Sequence, residues 1–167
     1  ISNNIMGHLF SKLIINSCIT SLGAISGLRL GEMMCRRKAR KLFITVIREA
    51  VELAHVLRIK IEDYGKRLNY YDFVDDSKSF AELRRHIKLR LMGIKYRRLK
   101  SSSLQSLERG KLTEIDYLNG YISANGKEFG VPAPLNDAIV EMIHEIEDGE
   151  RDITAKNLDD EVFQKFY

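Results

Sequence analysis

The 167-residue chain is predicted to be an all-α protein, a single compact helical bundle over residues 1–167. Two observations predict this class. Apolar residues recur at spacings of three and four over several long stretches, which is the period of an amphipathic helix. No stretch of any length alternates apolar with polar residues, as a half-buried strand would. The contents of 44% hydrophobic and 30% charged residues are typical of an ordinary globular domain.

The first helix is predicted over about 4–21. A second face of this helix is polar, because four polar residues recur at every fourth position. Gly23 and Gly27 extend that polar stripe without a side chain, so that a backbone or a ligand can approach closely. The polar stripe is His8, Lys12, Asn16 and Thr20, and the predicted apolar face is Leu9, Leu13, Ile14, Cys18, Leu22 and Ile25.

The uncharged run 13–28 resembles a membrane span in composition. It is short for a span, contains Asn16 and several hydroxyl residues, and lacks a cationic segment before it, so no membrane contact is expected. Cys18 and Cys35 have no metal-ligand spacing, and buried thiols rather than a disulfide are expected. Free thiols fit a reducing compartment, and a cytoplasmic location is predicted.

The middle of the chain is predicted to hold two helices joined by a loop over 65–79. The first helix, about 42–57, has a strong apolar period. The second, about 80–99, is predicted to bury a stripe of its own. Eight basic residues and no acid lie over 84–100, but no nucleic-acid motif accompanies them. A solvated face or a cleft for anionic ligands is therefore favoured over nucleic acid. The predicted buried stripe is Leu83, Ile87, Leu91 and Ile94.

A polar stretch over 101–120 leads from a serine cluster into a further predicted helix. Thr113 and Asp116 have the spacing of a capping box, with Thr113 as the N-cap and Glu114 in the first turn. Local chemistry alone favours a structural role for the three serines, since serine is common at turns. Two more helices are predicted at about 135–146 and 158–166, within or next to an acidic tail.

Three segments together resemble the C-terminal domain of the ketopantoate reductases (2-dehydropantoate 2-reductases). They are Lys-Leu-Ile-Ile-Asn at 12–16, the serine turn followed by Thr-Glu-Ile-Asp-Tyr-Leu-Asn-Gly at 113–120, and Gly-Val-Pro-Ala-Pro-Leu-Asn at 130–136. Their order and separation agree with that family over about 9–142. The resemblance implies a fold like the C-terminal domain of 6-phosphogluconate dehydrogenase.

The resemblance also implies an NADPH-dependent reduction of ketopantoate to pantoate, in pantothenate biosynthesis, and names the residues for it. Lys12 and Glu114 match the catalytic positions. Asn16, Thr20 and Ser102 match the positions that bind the substrate. The family often has a second asparagine where Thr20 stands and an aspartate where Ser106 stands, so the identity of the substrate is left open.

NADP(H) is implied as the cofactor, and in this family it binds mainly to an N-terminal Rossmann domain. This chain has no Gly-x-Gly-x-x-Gly motif, so that domain is expected to precede it and to be its partner. The chain alone is therefore expected to bind no cofactor and to be inactive. A small-molecule 2-oxo acid is the expected ligand, and no metal is expected.

A second hypothesis is a non-catalytic helical association module, either a homodimerisation domain or a diverged relative of the reductases. The two hypotheses differ in geometry. A reductase requires Lys12, Asn16, Ser102 and Glu114 to face one cleft, whereas an association module does not.

Overall fold

The computed structural model describes residues 4–65 and 68–167, which form helices joined by turns and irregular segments. Within them no strand occurs, and a single antiparallel bridge joins Tyr64 and Leu68. The predicted all-α class is confirmed. The helices are α1 (Ile5–Ser26), α2 (Leu30–Cys35), α3 (Arg37–Val56), α4 (Tyr70–Val74), α5 (Ala81–Lys95), α6 (Ser102–Leu107), α7 (Asn119–Phe129), α8 (Pro134–Glu147) and α9 (Glu161–Gln164), with 3₁₀ turns at Ile115–Tyr117 and Ala155–Asp159.

Helix α1 is the central element, and it contacts α3, α6 and α8. The Asn4 side chain caps its start by accepting from the Gly7 amide at 3.0 Å. By length and composition α1 could cross a membrane, yet 72% of its most apolar window is buried inside the bundle. That burial is typical of a core helix. Leu9, predicted on the buried face, is exposed, because the first turns of α1 bury Gly7, Phe10 and Ser11 and turn Leu9 to the outside.

Helix α3 confirms the periodic prediction for 42–57. Its apolar side chains line one face, and that face is buried against α1, α7 and α8. Burial of a face this long is the main source of stability for such a helix, since intrinsic propensity contributes little. The buried apolar residues of α3 are Ala39, Leu42, Phe43, Ile44, Val46, Ile47, Ala50, Val51, Leu53 and Ala54.

The predicted loop over 65–79 contains a short helix, so the prediction is wrong for α4. The Asn69 side chain caps α4 by accepting from the Asp72 amide at 2.8 Å. Tyr70 and Phe73 are buried, and their apolar surface holds the turn of helix against α3. Residues 66 and 67 lie outside the described residues.

Helix α5 lies where the sequence predicts it, but the predicted buried stripe is wrong. Leu83, Ile87, Leu91 and Ile94 are all exposed. The buried positions are Arg85, Leu89 and Gly93, which lie on the opposite side of the helix.

Two contacts determine this rotation of α5. The Arg85 guanidinium is buried and donates to a cluster of acceptors in the segment after α4, which satisfies a charge that would otherwise be costly to bury. Gly93 packs against Met34 of α2, and a Cβ atom at Gly93 would lie 2.4 Å from the Met34 Cβ. The acceptors of Arg85 are the carbonyl oxygens of Phe73, Val74 and Asp75 and the carboxylate of Asp76.

The remaining predictions concern cysteines and the tail. Both thiols are free, as predicted, but only Cys18 is buried and Cys35 is exposed. The predicted last helix, 158–166, is divided between a 3₁₀ turn and α9. Asp160 separates the two pieces, because its extended backbone ends the turn and its side chain caps α9 at the Val162 amide.

Candidate active site

The polar stripe of α1 is a row of side chains on an otherwise apolar helix. Lys12 carries the helix's single formal charge and is exposed. Its ammonium has no hydrogen bond or ion pair to any residue in the described ranges. Asn16, one turn further on, is half-buried, and its side-chain amide likewise has no hydrogen bond to any of the described residues. Thr20 is buried, and its hydroxyl donates to the Asn16 carbonyl oxygen at 2.8 Å.

The three adjacent serines at the start of α6 have three different environments. Ser101 is buried and is the N-cap, since its hydroxyl accepts from the Leu104 amide at 3.2 Å. Ser103 is buried on the inner side of α6. Ser102 is exposed, and its hydroxyl is bonded to none of the described residues. Of the three, Ser102 is the serine whose hydroxyl is available to a ligand.

The serine turn lies directly against the polar stripe of α1. A Cβ atom at Gly23 would lie 2.6 Å from the Ser101 hydroxyl oxygen and 2.9 Å from its Cβ. Glycine at this position therefore permits α6 to approach α1 more closely than any other residue would. Because Gly23 follows Thr20 by one helical turn, the serine turn abuts the end of the Lys12–Asn16–Thr20 stripe.

Glu114 is exposed, on a segment whose backbone is held on both sides. The Thr113 amide donates to the Glu147 carboxylate of α8 at 2.6 Å, and the Thr113 hydroxyl accepts from the Ile115 amide at 3.1 Å. The Glu114 carboxylate itself is bonded to nothing in the described part of the chain. A fixed backbone with a free carboxylate is suited to receive a ligand.

The predicted capping box at Thr113 is wrong. The Thr113 amide donates to the Glu147 carboxylate, and Asp116 does not bond back to Thr113. Asp116 instead contacts His144, with 3.0 Å between its carboxylate oxygen and the ring nitrogen Nε2. A 3₁₀ turn over Ile115–Tyr117 follows, and α7 begins only at Asn119. Glu114 accordingly precedes a 3₁₀ turn rather than lying in the first turn of an α-helix.

Two asparagines of the signature segments form a buried network that the sequence analysis missed. The Asn119 side-chain nitrogen donates to the Asn136 side-chain oxygen at 2.8 Å. Glu49 of α3 accepts from the Leu135 and Asn136 amides, at 2.9 and 3.0 Å, and from the Asn136 side chain at 2.6 Å. The network joins α3, α7 and the start of α8, so these asparagines have a structural role.

Glu49 is an ionisable group inside the core. Burial raises the pKa of its carboxyl above the ordinary value, although the donors from Leu135 and Asn136 act in the opposite direction. A signal for this role is present in the sequence. Glu49 lies within the apolar face of α3, three residues after Val46 and four before Leu53, where an unpaired carboxylate would be costly.

The structure joins some of the predicted site residues and leaves others separate. Thr20 is bonded to Asn16, and the serine turn adjoins the stripe through Gly23. No hydrogen bond or ion pair links Lys12, Ser102 and Glu114 to one another in the described ranges. Their convergence on one cleft stays a prediction. The same ranges contain no group of three or more His, Cys, Asp and Glu side chains placed to hold a metal ion.

Residues 4–147 match the family model of the ketopantoate reductase PanE/ApbA C-terminal domain. The chain is similar to a 2-dehydropantoate 2-reductase of Archaeoglobus fulgidus, with 25% identity over 88% of this chain and 42% of that protein. It is also similar to one of Aquifex aeolicus, with 28% identity over 81% of this chain and 39% of that protein. The chain thus spans about two-fifths of the length of these relatives.

Solved structures show the same relationship. A PanE/ApbA family ketopantoate reductase from Ralstonia eutropha superposes with a TM-score of 0.70 and 28% identity, over 89% of this chain and 43% of that one. A D-mandelate dehydrogenase, solved with NADH and anilino(oxo)acetate, superposes with a TM-score of 0.69 and 25% identity, again over 89% of this chain and 43% of that one. The fold is that of an oxidoreductase's helical C-terminal domain. The chain belongs to the ketopantoate reductase family and corresponds to its C-terminal domain.

Proposed function

We propose that this chain is the substrate-binding domain of an NADPH-dependent reductase that converts 2-dehydropantoate to pantoate. The observation that carries the proposal is Lys12, an exposed cation without a partner among the described residues, on a helix that has no other formal charge. An exposed lysine without a partner is ordinary on a protein surface, so what distinguishes Lys12 is its place in a row with Asn16 and Thr20 on an otherwise uncharged helix. Lys12 lies within residues 4–147, which match the ketopantoate reductase C-terminal domain.

The chemistry requires a group that stabilises negative charge as it develops on the carbonyl oxygen of the oxo acid. The Lys12 ammonium would donate a hydrogen bond and then a proton to that oxygen. Asn16, one turn along the stripe, would orient the lysine or the substrate through its amide. The Ser102 hydroxyl would donate to the substrate carboxylate, and the Glu114 carboxylate would accept from a substrate hydroxyl. Thr20 would contribute only acceptor capacity, since its hydroxyl proton is used within α1.

One contact supports the placement of Ser102 beside the α1 stripe, because Gly23 brings the serine turn against that stripe. The ring of Phe10 packs edge-on against Tyr121 of α7 with centroids 6.5 Å apart, and α7 directly follows the segment that carries Glu114. That contact places the Glu114 segment near the start of α1. Phe10 and Lys12 project about 200° apart on the helix, so the contact does not by itself bring Glu114 to the Lys12 face.

NADPH would supply the hydride when bound. The free donors of Lys12 and Ser102 fit an anionic oxo acid, and the cofactor's phosphates would be held by a preceding Rossmann domain, the proposed partner of this one. A cytoplasmic location is part of the same proposal.

The experiment that tests this function uses the full-length protein, assayed for ketopantoate-dependent consumption of NADPH. Lys12→Ala should lower turnover by about a hundredfold or more, the usual effect of losing a general acid. The affinity for NADPH should change little, since its contacts lie mostly in the other domain.

Lys111→Ala is the matched control. Lys111 is also exposed, lies in the signature stretch, and its side chain has no partner among the described residues, so its loss should leave turnover unchanged. Full turnover by Lys12→Ala would show that the lysine is not catalytic and would contradict the proposal.

A further inference from the structure

The outward face of α5 carries a row of large apolar side chains. This row, the α5 stripe, begins with Phe80 at the N-cap position and continues along the helix. At 100° per residue its four helical members fall within an arc of about 80°. The members and their exposed fractions are Phe80 79%, Leu83 56%, Ile87 49%, Leu91 60% and Ile94 64%.

The α5 stripe is a consequence of the rotation of α5, not of loose packing. Arg85 and Gly93 fix the opposite side of the helix against the bundle. Phe80 has a φ of 56°, in the left-handed region that is unfavourable for a bulky residue, and this conformation starts the helix with the ring in solvent. The largest apolar patch on the surface of a protein is often a binding site, and the α5 stripe is of the size that such patches reach. The α5 stripe therefore indicates a docking surface.

The spacing of the α5 stripe is symmetric about Ile87. Leu83 and Leu91 lie four residues to either side, and Phe80 and Ile94 lie seven residues to either side. A two-fold axis through Ile87, perpendicular to the helix, places each member of a pair against its counterpart in another copy. Such self-complementarity is the defining property of an isologous interface.

We propose that α5 pairs in antiparallel orientation with α5 of a second copy of the chain, with Ile87 on the two-fold axis. Ile87 then contacts Ile87 of the second copy, Leu83 contacts Leu91, and Phe80 contacts Ile94. Spacings of three and four residues along the seam are those that allow side chains of two helices to interdigitate. The proposal does not depend on the reductase assignment.

The area of the α5 stripe is sufficient for such a pair. Five side chains at these exposures present on the order of 500 Å² per copy, so pairing would remove about 1,000 Å², the size at which specific interfaces begin. A partner with a smaller apolar face would leave part of the row in water. A second copy covers the row from end to end.

The side chains that flank the α5 stripe, Arg84, Lys88, Arg90 and Lys95, are all basic, so the pairing requires them to lie at the edges of the seam and not within it. Arg84 and Arg90 lie three residues to either side of Ile87, so they project about 60° to opposite flanks. The two-fold axis described above keeps these flanks on opposite edges of the pair, where the guanidinium groups stay in water. An apolar centre with a charged rim is the usual anatomy of a protein interface.

The first test is the oligomeric state of the chain, measured by sedimentation velocity over a wide range of concentration. The wild-type chain should be a dimer, and Ile87→Arg should be a monomer with an unchanged helical circular dichroism spectrum. Leu112→Arg, at an apolar residue that is 75% exposed elsewhere on the surface, is the control and should stay dimeric. A monomeric wild type, or a dimer that persists in Ile87→Arg, would overturn the proposal.

The second test fixes the register by disulfide cross-linking in a Cys35→Ser background, which removes the exposed native thiol. Ile87→Cys should form a covalent dimer with itself. Leu83→Cys should not, since its two copies would be offset by about 12 Å along the helix, but a mixture with Leu91→Cys should cross-link. Cross-linking of Leu83→Cys with itself would overturn the register. A wild-type chain that is monomeric and sediments with anionic phospholipid vesicles would assign the α5 stripe to a membrane surface instead.

Discussion

Individual polar side chains in this domain owe their roles to where the helices place them. His86 of α5 is an example, since its side chain is 12% exposed and lies between charged groups. Its Nδ1 accepts from the Arg40 side chain at 3.0 Å, and its Nε2 lies 3.5 Å from the Glu82 carboxylate. Burial first, and Arg40 second, lower the pKa of His86 below its ordinary value, and together they outweigh Glu82.

This shift predicts a pH dependence of stability. Above the unfolded-state pKa of about 6.5 the imidazole is neutral in both states, so its contribution to stability is fully present. As the pH falls below that value, the unfolded chain binds the proton first, and the free energy of unfolding decreases until the folded pKa is reached. His86→Gln should remove this part of the dependence of the unfolding free energy on pH. Urea unfolding, measured at a series of pH values below about 6.5, tests this.

His55→Gln, at an exposed histidine of α3, is the control for the same measurement. In this variant the free energy of unfolding should depend on pH as it does in the wild type. An unchanged slope in His86→Gln would show that another group is responsible.

At the scale of elements, the start of α8 depends on a carboxylate from α3. Glu49 accepts from two backbone amides with its two different oxygens, so both oxygens are required. The bonds replace solvation that the first amides of α8 lose on burial, and they fix α8 relative to α3.

Glu49→Gln should lower the free energy of unfolding by about 3 kcal/mol, because the substituted NH₂ group turns one acceptor into a donor that faces a buried amide. The midpoint and slope of urea unfolding measure this. Glu52→Gln, exposed on the same helix, should change the free energy by less than about 0.5 kcal/mol. Equal losses in the two variants would contradict the capping role.

How far the sequence predicts these elements depends on how local their causes are. Helix α3 follows from its own period, because its face is buried as a continuous stripe. The rotation of α5 cannot be predicted in this way. Arginine is usually a surface residue, and the acceptors that allow Arg85 to be buried lie at the end of α4 and just after it. The capping box at Thr113 is locally plausible, but it is displaced by Glu147, 34 positions away in sequence.

The candidate site divides in the same way. Its motifs predict Lys12, Ser102 and Glu114 as a set, because each lies in a short segment that resembles the family. That Ser101 is the cap and Ser102 the exposed serine depends on the approach of α6 to α1, which the serine run itself does not specify.

At the scale of the whole molecule, the chain spans about two-fifths of the length of its relatives, and the proposed reaction would also use the preceding cofactor domain. The purified 167-residue chain should show no ketopantoate-dependent oxidation of NADPH and at most weak binding of NADPH. Hydride transfer requires the nicotinamide to be held against the substrate, and the phosphate-binding backbone is expected in the other domain.

Steady-state assays and calorimetric titration of the chain measure this, with the full-length protein as the positive control and circular dichroism as the check of folding. Turnover by the chain alone would mean that the cofactor binds here. The proposal that one domain binds the cofactor and this domain binds the substrate would then be wrong.

Because Gly23 contacts Ser101 directly, the distance between the backbones of α1 and α6 determines the width of the proposed cleft. The Ser101 hydroxyl is fixed as the cap of α6, and it lies 2.6 Å from where a Cβ atom at residue 23 would be. Helices α1 and α6 therefore have no space between them for a side chain at this position. A single added methyl group at residue 23 would act as a wedge, moving Ser102 relative to Lys12 without altering either. In the proposed reductase, the size of substrate that the cleft admits would therefore depend on residue 23, which is not one of the proposed substrate-binding residues.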